Sequence, residues 1–348
     1  RTLNRNTEAF DDCDLVPKIL ANVGKPDLST TVFGRKISMP IFLSPAAMQR
    51  LYHPEGDKAS ARAAEKFNTF YSMSTMSNNS IEQIANLSSG PKLFQLYIHK
   101  DQSITDDLID RCKRANFDGL CLTVDTIVAG NRERDHRTGF TTPPKLTLKS
   151  LFSFAIKPKW VFDYLTNEKF ELSNVKNKTD KGTNITKSVI EYINEQYDPG
   201  MNWSDAEYVV KRWDKPFAIK GVMSVEDAKR AVDIGCTAIM ISNHGGRQLD
   251  GSRSPFDQIK LISDAVGDKV DIILDGGVRR GTHVLKAIAA GAKACSFGKA
   301  FLFGLSAGGQ KGVEKLLQNM HDEIQRNMIL MGCKNLKDLN YSRLIFRR

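Results

Sequence analysis

The chain has 348 residues, 41% of them apolar and 26% charged, with a formal net charge of +10 at pH 7 and six cysteines. The composition is ordinary for a soluble globular protein, and a chain of this length buries a large core without disulfide or metal staples, within the size range of a single α/β barrel. The basic balance permits attraction to nucleic acid, anionic lipid or an anionic substrate without choosing among them, and no run of about 18 apolar residues exists to span a membrane.

Arg1-Thr2-Leu3-Asn4-Arg5-Asn6 is not a signal peptide, and without an initiator Met residues are expected to be missing upstream. Pro40-Ile41-Phe42-Leu43-Ser44 reads as a first strand, followed by a helix from about Pro54 to Phe67. Thr69–Met73 is a second strand, with a helix from Ser80, and Leu93–Tyr97 a third, with a helix over 102–115. Gly119–Val124 is a fourth and Phe217–Lys220 a fifth, the latter followed by a helix over 224–234. Ala238–Ser242, Val270–Leu274 and Ala294–Phe297 complete the set, with helices near 255–265, over 280–290 and over roughly 309–330. Eight strands each followed by a helix predict the α/β class and a closed (β/α)8 TIM barrel. An open doubly wound sheet is the fallback, weakened because no G-x-G-x-x-G follows the first strand.

One segment breaks the rhythm, a long insertion after the fourth strand over about 133–205 that is expected to be mobile. Residues 145–187 carry nine Lys against four acids, interleaved with Phe152, Phe154, Trp160, Phe162, Tyr164 and Phe170. Basic and apolar residues together suit a membrane surface; the plainer reading is a solvated insertion with a small helix over Ser204–Trp213. The cysteines form no C-x-x-C pair, so no metal site or dithiol centre is expected. Cys121 and Cys295 lie in apolar runs and read as buried small hydrophobes, and a reducing compartment fits. The lysines follow no nucleic-acid reading motif, so no nucleic-acid partner is expected.

In a barrel of this type the active site lies at the C-terminal ends of the strands. Ser74, Gln95, Tyr97, Thr123, Asp125, Lys220, His244, Arg247, Asp275 and Arg279 all break apolar runs there. A single such residue is usually a cap or turn; polar groups at nearly every strand end are not explained that way. In Ser242-Asn243-His244-Gly245-Gly246-Arg247, the His supplies a base working near neutral pH, and the Arg a planar fork for a carboxylate. Leu274-Asp275-Gly276-Gly277-Val278-Arg279 and Ser296-Phe297-Gly298-Lys299 follow strands seven and eight, where barrels commonly hold a phosphate. Without a Walker-type lysine motif, that phosphate belongs to a cofactor. Asp125, in Leu122-Thr123-Val124-Asp125-Thr126 with Arg132 beyond it, can orient a His; the alternative is an Asx-type turn.

At these residues the chain resembles the FMN-dependent L-2-hydroxy-acid oxidising enzymes: lactate dehydrogenases and oxidases, glycolate oxidase, mandelate dehydrogenase and the flavin domain of flavocytochrome b2. Within that family it is most similar to the bacterial quinone-linked L-lactate dehydrogenases. The resemblance runs from Arg5-Asn6-Thr7-Glu8-Ala9-Phe10 to the last helix, through Ser44-Pro45-Ala46-Ala47-Met48, Phe94-Gln95-Leu96-Tyr97 and the three segments above. It implies that His244 is the general base, paired with Asp125, taking a proton as two electrons pass to the flavin. It implies that Arg247 and Arg132 hold the substrate carboxylate, Tyr97 bonds the oxygen on C2 and Lys220 faces the N1–O2 edge of the flavin. Ala46 and Ala47 would meet the flavin near N5, and Ser74, Gln95 and Thr123 its polar edge, with Ser242 also assigned to the cofactor. Asp275 would bond the ribityl chain, and Gly277, Arg279, Gly298 and Lys299 the phosphate. Met76 would stand where family members vary the residue facing the substrate side chain, leaving room for a methyl group.

Two departures go with the resemblance. The family starts earlier, with helices and a Tyr near a Gly-Gly-Ala turn, so a fragment of a longer chain is expected. Lys299 stands where Arg is usual, which keeps the charge and loses the bidentate fork. The implied whole is one FMN-binding domain over 1–348 that oxidises L-lactate to pyruvate and passes electrons to quinone or another acceptor, with no metal. It is expected in the cytoplasm at the inner face of the cell membrane, in peripheral contact with it, as a homo-oligomer, tetrameric by analogy. The alternatives are an oxidase of the same family that makes H2O2 from O2, and a flavin-binding barrel without turnover. The Arg132, Tyr97, His244 and Arg247 set suits a hydroxy carboxylate rather than the diphosphate of an isomerase-type FMN barrel.

Overall fold

Runs such as Ile41-Phe42-Leu43 and Ala238-Ile239-Met240-Ile241 are apolar at every position rather than at alternate ones, as strands buried on both faces require. In the computed structural model, which describes residues 1–138, 147–167, 170–175 and 195–347, these runs form eight parallel strands. They are β1 (Ile41–Leu43), β2 (Tyr71–Ser74), β3 (Lys92–Leu96), β4 (Gly119–Thr123), β5 (Phe217–Val222), β6 (Ala238–Ser242), β7 (Asp271–Asp275) and β8 (Ala294–Phe297). Each pairs with the next, and β8 closes onto β1 through Cys295–Ile41, Ser296–Phe42 and Phe297–Leu43, giving the closed barrel the sequence predicts.

The helices described are α1 (Thr2–Glu8), α2 (Gly56–Lys66), α3 (Ile81–Leu87), α4 (Gln102–Arg114), α5 (Glu133–Thr138), α6 (Leu148–Ala155), α7 (Pro158–Thr166), α8 (Trp203–Trp213), α9 (Val225–Asp233), α10 (Pro255–Val266), α11 (Gly281–Ala289) and α12 (Lys299–Leu330). Local chemistry sets their starts: Ser80 and Gln83 form a capping box at α3, and Ser224 and Ser254 cap α9 and α10. The expected insertion over about 133–205 falls partly outside the described residues.

The far end of the barrel is plugged. A hairpin of Thr30–Val32 with Arg35–Ile37 sends Val32, Phe33 and Ile37 into an interior cluster with Phe42, Phe70, Leu93, Cys121 and Met240. Phe70 meets Phe33 and Phe42 edge-on at centroid distances of 5.7 and 6.0 Å. The barrel is therefore a packed core, and the end open to chemistry is the one where the strands finish.

Two expectations shift. The second strand starts at Tyr71 rather than Thr69, because the Thr69 N–H is spent on the Ala64 carbonyl at the end of α2. The last helix starts at Lys299, directly after β8, not near 309. The pair Gly308-Gly309 is a break inside it, with Gly309 at φ 56° and ψ −137°. That leaves a short helical piece at the barrel mouth, where α/β barrels bind phosphate. All six cysteines are buried and free.

Candidate active site

Parallel pairing puts polar residues on one tier at the barrel mouth. Ser74 pairs with Gln95, Thr123 with Lys220, and Asp275 with both Ser242 and Ser296. A strand end that must carry a functional side chain needs only a polar residue at the last position of an apolar run, and the shared register does the rest.

One half of the tier is a buried ion pair. Lys220 Nζ lies 2.9 Å from Asp275 Oδ2 and donates to Ser242 Oγ at 3.0 Å. Ser242 Oγ donates to Asp275 Oδ2 at 2.8 Å and accepts the His244 N–H at 3.1 Å, while the hydroxyls of Ser44 and Ser296 donate to Asp275 Oδ1. Burial opposes the charge of Asp275, but Lys220 and the serine donors outweigh it and hold its carboxyl at about 2. Burial likewise opposes the Lys220 ammonium; Asp275 and Asp125 outweigh it and push its pKa above the ordinary lysine range, so it stays a cation.

The other half carries the imidazole. His244 Nδ1 lies 2.9 Å from Asp125 Oδ1 and 3.1 Å from Thr126 Oγ1. Burial disfavours the Asp125 carboxylate, but His244 and Lys220 overcome it and its carboxyl sits below the usual range. An ionised carboxylate only accepts, so Nδ1 is the donor in this bond and Nε2 is the ring nitrogen left facing the mouth. Gly221 makes this approach possible: it stands in a bulge of β5 at φ 114°, and a Cβ there would lie 2.8 Å from Asp125 Cβ.

Around this pair stand groups suited to a small anion. Arg132 is half-buried, and burial together with the charge of Arg247 lowers its pKa, which places the two guanidinium groups in one field. Tyr97 is buried and stacked on Tyr197 at 4.5 Å, and burial followed by the Asp125 charge pushes its hydroxyl up to about 12, so it remains a donor. Gln248 Nε2 donates to the Asp125 and Val128 carbonyls at 3.0 and 2.9 Å, stitching the loop after β4 to the turn after β6.

Several polar atoms here are unsatisfied among the described residues. Gln95 Nε2, Thr123 Oγ1, Asp125 Oδ2 and Arg132 Nε are buried without hydrogen-bond partners. Orphaned buried donors cost about 1–3 kcal/mol each and call for a ligand. Gln95 and Thr123 at adjacent strand ends, with Ser74 and the Lys220 cation, fit the carbonyl-rich edge of a flavin. Ser74 Oγ already donates to Gln95 Oε1 at 2.9 Å, which fixes the amide with its NH2 group unpaired. Ala46 and Ala47 lie half-exposed in the loop after β1, and Met48, at φ 53°, ties that loop to the Met76 carbonyl at 3.1 Å. Met76 itself is buried.

The turns after β7 and β8 supply the remaining features. Arg279 is half-buried, bonds only the Val278 carbonyl and pairs with no carboxylate among the described residues. Gly277 is buried, Gly298 half-buried and Lys299 exposed at the first position of α12. A helix N-terminus with an uncompensated Arg and a Lys is chemically suited to a phosphate. Among the described residues no group of three or more His, Cys, Asp or Glu could hold a metal ion.

Sequence reasoning missed Ser44, Ser296 and Thr126 as direct partners of Asp275, Asp125 and His244. All three stand at strand ends beside residues it did select, so the polar-end signal would have found them. It also gave no role to Asn6, on α1, although Asn6 lies in the Arg5–Phe10 segment from which the resemblance runs.

The model of one protein family, described as FMN-dependent dehydrogenase, matches residues 1–346. Glycolate oxidase of Spinacia oleracea is 38% identical over 343 residues, 99% of this chain and 87% of that one. L-lactate oxidase of a Nostoc species is 38% identical over 350 residues, covering 98% and 89%. Among solved structures, that of the monotopic membrane protein (S)-mandelate dehydrogenase superposes with a TM-score of 0.94 at 31% identity, over 99% of this chain and 91% of that one.

Proposed function

The chain belongs to the family of FMN-dependent dehydrogenases, whose members oxidise 2-hydroxy acids with FMN as cofactor, and from that premise we propose that its substrate is L-lactate and its electron acceptor a quinone. The observation that carries the reading is the His244–Asp125 pair, whose Nε2 makes no hydrogen bond among the described residues, at a barrel mouth that also holds the mutually coupled guanidinium groups of Arg132 and Arg247. In this reading Arg132 and Arg247 grip the carboxylate by bidentate bonds and Tyr97 donates to the oxygen on C2. His244 Nε2 takes the hydroxyl proton, and Asp125 stabilises the imidazolium that results. Bound FMN supplies the two-electron sink. Ser74, Gln95, Thr123, Ser242 and the backbone of Ala46 and Ala47 hold the ring, Lys220 places a fixed positive charge beside it, and Asp275 orients Lys220 and meets the ribityl chain. Gly277, Arg279, Gly298 and Lys299 hold the phosphate. Buried Met76 sets a pocket wall that suits a methyl group.

The test is an absorption spectrum titrated with L-lactate under anaerobic conditions, followed by reoxidation with a soluble quinone or with O2. Bleaching by lactate at lower concentration than by glycolate or mandelate, with faster reoxidation by quinone, is the expected result; a chromophore that ignores lactate would end the substrate assignment. An oxidase is the second reading, favoured by the glycolate and lactate oxidases among the relatives. Peroxide formed as fast as lactate is consumed would select it.

A peripheral membrane contact is part of the proposal. On α6 and α7 the rings of Phe154, Trp160 and Tyr164 stack inward in a row, while Leu148, Leu151, Phe152, Ile156, Phe162 and Leu165 are exposed beside Lys157 and Lys159. An exposed apolar patch rimmed by lysine suits an anionic bilayer surface. Because burying each phenylalanine is worth about 1.5–3 kcal/mol, Phe152→Ser with Phe162→Ser should lower binding to vesicles of mixed phosphatidylcholine and phosphatidylglycerol more than tenfold. Cosedimentation unchanged by the pair would reject the contact.

A further inference from the structure

We propose that Asn6 is a positioning residue for the base, acting through Asn243; the inference rests on reading His244 as that base. Asn6, 2% exposed, meets Asn243 amide to amide, its Nδ2 donating to Asn243 Oδ1 at 2.7 Å and its Oδ1 accepting from Asn243 Nδ2 at 2.8 Å. Asn243 spends its remaining capacity on the turn itself: Nδ2 donates to the Arg253 carbonyl at 2.9 Å and Oδ1 accepts the Gly246 N–H at 3.0 Å. Two donors and two lone pairs are thereby all used, which fixes the amide in one orientation.

The next residue is His244, whose backbone sits at φ 58°. For a residue other than glycine that left-handed conformation costs about 1–3 kcal/mol and persists only where its surroundings impose it. The two ends of the turn are imposed separately. Gln248 anchors the end that carries Arg247, through the Asp125 and Val128 carbonyls, and Asn243 anchors the end that carries His244. Behind Asn243 the side chain that completes the amide pair is Asn6. The same stretch of α1 backs the turn after β7, where a Cβ on Gly277 would lie 1.9 Å from the Asn6 carbonyl oxygen. Releasing Asn6 therefore loosens the imidazole while leaving the two arginines in place.

A double-mutant cycle tests this, with Asn6→Ala, Asn243→Ala and the pair, and with Arg5→Gln as control. Arg5 docks α1 by its ion pair to Asp257 at 3.1 Å and touches neither turn residue. Asn6→Ala should lower kcat for L-lactate at least tenfold with KM and the pyruvate Kd changed less than threefold. The double variant should lose no more than the worse single one, and Arg5→Gln should keep kcat within twofold. The imidazole resonance of His244, assigned by its loss in His244→Ala, should shift or broaden in Asn6→Ala and not in Arg5→Gln. If Asn6→Ala is insoluble, Asn6→Asp, which keeps the shape and the acceptor but loses the donor, takes its place. Unchanged kcat in a folded Asn6 variant, or losses that multiply in the double variant, would overturn the inference. Turnover persisting in His244→Ala would overturn the base assignment and this inference with it, whereas an inactive His244→Ala beside a fully active Asn6→Ala would overturn this inference alone.

Discussion

Replacing His244 with alanine should slow lactate oxidation by about 10²- to 10⁴-fold while the protein stays folded and yellow, the range a positioned general base contributes. The expectation follows from the division of labour at the mouth. His244 makes no bond that the barrel needs: its ring pairs with Asp125 and Thr126, at the end of β4, and leaves Nε2 open. In the proposed reading Arg132 and Arg247 supply the carboxylate grip, so KM should move less than kcat. Stopped-flow reduction of the chromophore by L-lactate, without oxygen, reads the step directly. A rate within tenfold of the parent would mean that some other group takes the proton, and the His244–Asp125 pair would then be a structural contact.

Lys220→Met should destabilise the fold by about 3–5 kcal/mol, the usual consequence of removing one partner of a buried ion pair. Asp275 would keep its three serine donors but lose the cation that holds its carboxyl at about 2. The pH dependence should change sign with it. In the parent, the folded carboxyl lies below its ordinary value of 3.8. The stabilising contribution is therefore complete above that value and disappears as pH falls toward about 2. In Lys220→Met, burial acts unopposed by the lysine, the folded carboxyl rises above its unfolded value, and stability falls as pH climbs between the two. Urea midpoints measured from pH 4 to 8 for both proteins check this; parallel curves would show that the Lys220–Asp275 attraction does not govern Asp275.

The barrel was legible because its strands carry their signal locally. Ile41-Phe42-Leu43 and Ala238-Ile239-Met240-Ile241 are short runs apolar at every position, as strands buried on both faces require, and helix caps such as Ser80, Ser224 and Ser254 mark the starts of three of the helices between strands. The candidate site was legible for a related reason: Gln95, Thr123, Lys220, Ser242 and Asp275 each end an apolar run, and parallel register then levels them without further information. What could not be read is what depends on side chains meeting across the chain. Asn6 and Asn243 stand 237 positions apart and belong to no periodic pattern. The start of α12 lies ahead of the expected one because Gly308-Gly309 breaks the helical pattern inside it. The contact of Thr126 with the imidazole shares its nitrogen with Asp125, so the sequence offers no separate sign of it.

The pairing of Cys13–Leu15 with Leu344–Phe346, reinforced by Arg347 on Asp14, has a bearing on biosynthesis. The strand that secures the flank of α1 is encoded more than three hundred codons after it. Until residues 344–347 have emerged, Cys13–Leu15, the strand that follows α1, lacks its antiparallel partner.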